Sequence, residues 1–217
     1  MAVYELNLLL GKASMVLQGL WALMVVVRWS KTSIRQRGLG VLLALFLINQ
    51  GLGYYYGKAY GNNYPFFYAY ILLEGLGVLW LLGQGPNLML SKKIILGLAT
   101  VFVAFWLVDV LWLESWWAYP AIIRPVESVL VIGLCIAYYR HLLNRLEETQ
   151  PMRTFMFWAC SGWLVYFTGT LLIEAMGIFL VDAKPETWGL IYTVRNAFNV
   201  LLYLTLGVAL WLPDRTR

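Results

Sequence analysis

Apolar residues fall along this chain in seven long blocks, separated by short stretches rich in glycine, polar or basic residues. A bilayer-crossing helix needs about 20 mostly apolar residues, and each block meets that length. The pattern predicts helices at about 7–27, 38–56, 65–83, 94–113, 121–139, 155–180 and 188–212. Breakers occupy the intervals: 57–63, then Gln84-Gly85-Pro86-Asn87, then 182–185. Trp29, Trp112, Trp116, Trp117, Trp188 and Trp211 lie near the expected ends, where an interfacial aromatic belt belongs. The expected fold is therefore an all-α, seven-transmembrane-helix bundle forming one domain over residues 1–217.

Composition agrees with that reading. Of the 217 residues, 61% are hydrophobic and only 12% charged, against about 25% charged in ordinary soluble domains. Seven spans leave no length within this sequence for a soluble catalytic or kinase domain. The net charge of +5 is spread through alternate connections, so it does not point to nucleic acid. The first ten residues contain Glu5 and no cationic region, unlike a cleaved signal peptide. Cys135 and Cys160 fall in the inner halves of two expected helices, where free buried thiols are the expectation.

Charge in the connections sets an orientation. Arg28, Lys31, Arg35, Arg37, Lys92, Lys93, Arg140, Arg145, Arg153, Arg215 and Arg217 fall on one side, against Lys58 and Lys184 on the other. Basic residues accumulate on the cytoplasmic side. The N-terminus is therefore expected outside and the C-terminus in the cytoplasm, in a multi-pass protein of the inner (cytoplasmic) membrane.

The candidate chemistry lies in the ionisable residues inside the apolar blocks: Lys12, Glu74, Asp109, Arg124, Glu127, Glu174 and Arg195. One charge at the centre of a spanning helix costs roughly 2.5–3.5 kcal/mol on insertion scales. Such groups must pair, line a wet cavity, or both. With helices one, three, five and seven running inward, all but Glu74 fall in the outer half, and Glu74 lies near the middle. Asn49, Gln50, Asn196 and Asn199 extend the polar set, and Tyr54, Tyr55, Tyr56, Tyr68 and Tyr70 offer hydroxyls. Arg124 and Glu127 are three residues apart and can pair on one helical face. Glu74, Glu174 and Arg195 need partners from other helices.

Together these residues suggest a cavity open to the outside, with Glu74 as its floor and proton-exchanging group. Arg124 and Arg195 have the forked geometry for a carboxylate or phosphate, and a glutamate suits an amine. A buried ion-pair network that merely fixes helix order is the competing expectation. Leu72-Leu73-Glu74-Gly75-Leu76-Gly77 is echoed by Leu172-Ile173-Glu174-Ala175-Met176-Gly177, as an inverted repeat would produce, although the flanking helices do not extend the match. On the basic face, 142–152 is the longest inner connection, and Arg140, Arg145 and Glu148 are its candidate docking residues.

Several activities lack their residues. One histidine, His141, and two separated cysteines make no usual metal cluster. No Ser-His-Asp set can be assembled at membrane depth, so the chain is not expected to be an enzyme or to hold a cofactor. Pro125-Val126-Glu127 is similar to the Pro-x-Glu element of small membrane lycopene cyclases, but the rest of that pattern is missing. No lysine stands midway along the seventh helix for a rhodopsin Schiff base, and the Pro-Gln pair of the sugar-carrier and cystine-carrier family is absent. Gly53-x-x-x-Gly57 and Gly57-x-x-x-Gly61 permit close helix approach but fall at an expected loop.

Residues 157–169 (FWACSGWLVYFTG) and 196–211, with Glu127-Ser128, Tyr138-Tyr139-Arg140 and the stretch from Tyr70 to Glu74, resemble small seven-helix membrane proteins of Bacteroidota-type bacteria. The resemblance covers about half the chain and implies a membrane sensor module, because kinases of two-component systems often accompany such proteins. The leading expectation is a receptor-like sensory module that binds a small polar or amphipathic ligand and signals to a kinase or other partner. A proton-coupled secondary transporter is the alternative, and a structural subunit of a membrane complex the second.

Overall fold

The computed structural model describes residues 2–84, 90–144, 151–176 and 185–214. It is all-helical among those residues, and seven helices are long and apolar enough to span a membrane. They are α1 (Ala2–Val27), α2 (Ile34–Tyr60), α3 (Tyr64–Leu82), α4 (Lys92–Val108), α5 (Ile123–Asn144), α6 (Phe155–Ala175) and α7 (Pro185–Trp211). The part of the sixth expected helix beyond Met176 lies outside the described residues.

Local chemistry moves several boundaries from their expected places. Ser33 starts α2 four residues early through a capping box: its Oγ accepts from Gln36 N–H (3.2 Å) while its own N–H donates to Gln36 Oε1 (2.8 Å). Gly57 does not stop α2. The helix runs on to Gly61, whose φ of 75° closes it in the left-handed region, its N–H donating to Gly57 O. Ser91 caps α4 by accepting from Ile94 N–H (3.3 Å). At its far end α4 widens into a π-turn, Asp109–Leu113, where Glu114 N–H donates to Asp109 O (2.7 Å). Such bulges re-aim side chains, and this one carries Asp109 and Glu114.

The helices pack largely in chain order around a ring. α2 lies between α1 and α3, α6 between α5 and α7, and α7 returns to α1; α3 meets both α4 and α5. The α6–α7 seam is close because Gly162 and Gly169 of α6 receive Thr205 and Phe198 of α7. The larger apolar core, with Leu43, Leu81, Cys135, Phe155, Cys160 and Leu206, fills much of the ring's interior. A smaller one, Tyr68, Ile71, Phe102, Trp106, Val110 and Ile123, joins α3, α4 and α5. Cys135 and Cys160 are free and buried.

At the basic end, α7 is fastened to the start of α2. Gln36 Nε2 donates to Leu210 O (3.2 Å) and Leu212 O (2.9 Å), and Arg35 Nη1 pairs with Asp214 Oδ1 at 3.4 Å. The outward surface is apolar: Leu9, Val16, Leu96, Val129, Leu172 and Leu201 all stand exposed. Trp29, Trp112 and Trp211 are exposed near helix ends, and Trp116 and Trp117 are exposed in the connection between α4 and α5.

Candidate functional site: a buried charge cluster

The second residue of α5 organises the site. Arg124, buried to 2% exposure, sends its guanidinium along its own helix, where Nη1 meets Glu127 Oε2 at 2.5 Å one turn on. The same Nη1 reaches Glu74 Oε2 of α3 at 2.7 Å. Nη2 donates to the Tyr166 hydroxyl of α6 (2.8 Å), and Nε lies 3.6 Å from Glu174 Oε1, also of α6. The aromatic faces of Tyr70, Tyr166 and Phe167 surround the guanidinium at 5.6–5.9 Å from their centroids. One arginine thus joins three helices, and both glutamates of the echoed segments reach it.

α7 enters through Arg195, whose Nε lies 3.4 Å from Glu174 Oε1. From the connection between α4 and α5, the Tyr119 hydroxyl donates to Glu174 Oε2 at 3.2 Å. Burial and the neighbouring Glu174 carboxylate hold that hydroxyl well above the ordinary tyrosine range, so it remains a donor. In the other direction Tyr70 OH donates to Glu74 Oε1 (3.4 Å) and lies 3.4 Å from Tyr203 OH of α7. Arg195, Glu174, Arg124 and Glu74 therefore form a ladder of alternating charge that ends in two hydroxyls.

Carboxyl groups outnumber guanidinium groups in the cluster: among the described residues, Glu74, Glu127 and Glu174 face Arg124 and Arg195. Among the described residues Glu127 Oε1 and Glu174 Oε1 are both buried without a hydrogen-bond partner, but Glu174 Oε1 lies within ion-pair reach of both arginines and Glu127 Oε1 of neither. Glu74 has a partner on each oxygen. A small cavity of about 20 Å³ adjoins the cluster, lined by Phe67, Tyr70, Tyr119, Arg124, Glu174 and Arg195 among others. That is room for about one water molecule, with Tyr119 and Pro120 among its walls.

Glu74, Arg124, Glu127, Glu174 and Arg195 thus converge, whereas four other candidates lie elsewhere. Lys12 is exposed on the outer face of α1, because its helical position faces away from the ring. Asn49 Nδ2 donates to Phe66 O (2.9 Å), sewing α2 to α3. Asn199 donates to Asn196 (3.4 Å), which itself donates to Asn7 of α1 (2.7 Å), so the pair belongs to the α1–α7 seam. Asp109 is fully buried on the π-turn, and among the described residues neither carboxylate oxygen has a hydrogen-bond partner. Glu114, at the end of that turn, accepts from Tyr68 OH (3.0 Å) and Ala121 N–H (3.1 Å). Tyr54 and Tyr55 point outward. Of the docking candidates, Arg140 is exposed near the end of α5, while Arg145 and Glu148 lie outside the described residues.

Tyr119, Tyr166 and Tyr203 belong to the site without having been singled out from the sequence. Tyr166 carries a legible signal: it lies eight residues before Glu174, close to one helical face. Tyr119 carries none, since it stands in a non-helical connection. No protein-family model matches this chain, and no curated protein and no solved structure matches it. The site is read from its own geometry.

Proposed function

We propose that this chain is a receptor-like sensory module of the inner membrane, with its N-terminus outside and its charge cluster in the outer half of the bilayer. The observation that carries the reading is the charge count: three buried glutamates against two arginines. A network serving only to hold helices needs no surplus carboxylate, and burying one is costly. A cluster with one carboxyl more than it has guanidiniums, adjoining a cavity lined by Glu174, is suited to a cation from outside. The ligand is then a small polar or amphipathic molecule bearing an ammonium group, with the tyrosine and phenylalanine rings around the cluster suited to receive it.

Binding in this scheme displaces Tyr119 from Glu174 and widens the cavity, since the present volume admits only water. The cluster ties α3 to α5, α6 and α7, so a ligand that separates Glu174 from Arg124 favours one helix arrangement over another. Movement of α5 to α7 would be read at the basic face by a kinase or other signalling partner near Arg140. A panel of alkylamines and matched carboxylates, tested by thermal unfolding in nanodiscs, checks this. Amines should stabilise the wild type and lose that effect in Glu127→Gln; stabilisation by carboxylates alone would contradict it.

The ladder from Arg195 to Tyr203 supports a second reading, a proton-coupled transporter. It predicts uptake into proteoliposomes that Glu74→Gln abolishes, and binding without uptake would exclude it.

A further inference from the structure

Two apolar grooves flank Trp80 at the basic end of the bundle. One, about 590 Å³, lies between α2 and α3, with Val41, Leu45 and Leu73 in its walls and Arg37 among its lining residues. The other, about 580 Å³, lies between α3 and α4, with Leu79, Ile95 and Ala99 in its walls and Lys92 among its lining residues. Leu76 and Trp80 line both. Trp80 is 41% exposed, and its ring rests on Gly38, where a Cβ would collide with it. The indole therefore stands as a fixed partition between two channels.

The charged side chains that line the two grooves are of one sign. Arg37 sits in the first turn of α2 and Lys92 begins α4. Arg37 Nε donates to Trp29 O at 3.0 Å, and its guanidinium lies 5.2 Å from the Trp29 ring centroid. That holds the side chain in place while leaving its charge uncompensated. Among the described residues neither Arg37 nor Lys92 has an acidic ion-pair partner.

We propose that these paired grooves bind one anionic diacyl phospholipid, with an acyl chain on each side of Trp80 and the phosphate held between Arg37 and Lys92. The partition favours two slender chains over a protein helix, whose diameter of about 10–12 Å cannot lie flat across the indole. The two unpaired cations select a negative headgroup, and basic pockets between helices at the cytoplasmic face are suited to anionic lipids. The inference rests on the membrane-spanning reading and not on the sensory one, so it stands or falls apart from ligand recognition at Glu127.

The test is native mass spectrometry of the full chain released from nanodiscs containing equal amounts of phosphatidylglycerol and phosphatidylcholine. The wild type should retain one phosphatidylglycerol, preferred roughly thirtyfold, as two headgroup cations imply. Arg37→Gln with Lys92→Gln should abolish the preference, while Lys31→Gln with Arg140→Gln, at the same face, should leave it intact. Equal retention of both lipids, no retained lipid, or a preference surviving the first pair or lost with the second would overturn the proposal. Should the first pair fail to fold, brominated lipids give the second readout. The quenching difference between wild type and Trp80→Phe should be larger with brominated phosphatidylglycerol than with brominated phosphatidylcholine, and equal differences would overturn the proposal.

Discussion

Arg124 Nη1 lies 2.7 Å from Glu74 Oε2, joining α5 to the middle of α3 inside a largely apolar bundle. The same nitrogen serves Glu127, so removing the guanidinium strands two carboxylates at once. Arg124→Gln should therefore cost about 3–5 kcal/mol, the range for breaking a buried pair. Denaturant or thermal unfolding of the purified protein checks this. Arg124→Lys should recover only part of the loss, because one ammonium cannot serve Glu74, Glu127 and Tyr166 in fork geometry.

Glu174 and Arg195 meet at 3.4 Å across the α6–α7 seam. Glu174→Gln and Arg195→Gln should each destabilise, and the double variant should lose less than the sum of the two. A double-mutant cycle should give a coupling of about 0.5–3 kcal/mol. Strict additivity would separate the two side chains energetically.

How much of this was legible beforehand depends on the scale considered. Seven helices long enough to span follow from apolar blocks, because block length is a one-dimensional property that the bilayer thickness interprets. The local Arg124–Glu127 pair follows from helical spacing. Rotation about a helix axis is harder to read where both faces are apolar. Lys12 and Arg195 look alike in sequence, yet one faces out and the other inward. Asp109 was displaced by a π-turn that no residue pattern announced, and Tyr119 reached the site through a connection with no periodicity to read.

The α6–α7 seam depends on two glycines. A leucine at Gly162 meets Thr205, and one at Gly169 meets Phe198. Each should destabilise by about 1–3 kcal/mol through overpacking. Gly133→Ala, where nothing lies within 4 Å of the added carbon, should be neutral or stabilising by a few tenths to about 1 kcal/mol. Unfolding midpoints of the three variants compare them directly.

Orientation is open to a labelling experiment. Cys135 and Cys160 are buried, so single added cysteines should dominate the signal. Lys58→Cys should react with a membrane-impermeant maleimide on intact cells, and Lys31→Cys only after the membrane is opened. The reverse pattern would invert the bundle and place the charge cluster on the cytoplasmic side.

The central claim is that the cluster holds one carboxyl more than it has arginines, and that Glu127 is the surplus group. Unfolding of Glu127→Gln beside Glu74→Gln, without added ligand, tests it most directly. Among the described residues Glu127 Oε1 has neither a hydrogen bond nor an ion pair, so its amide should leave stability unchanged or raise it. Glu74, bonded at both oxygens, should lose about 1–3 kcal/mol when neutralised. A loss in Glu127→Gln as large as that in Glu74→Gln would contradict the claim and make the cluster a balanced structural network.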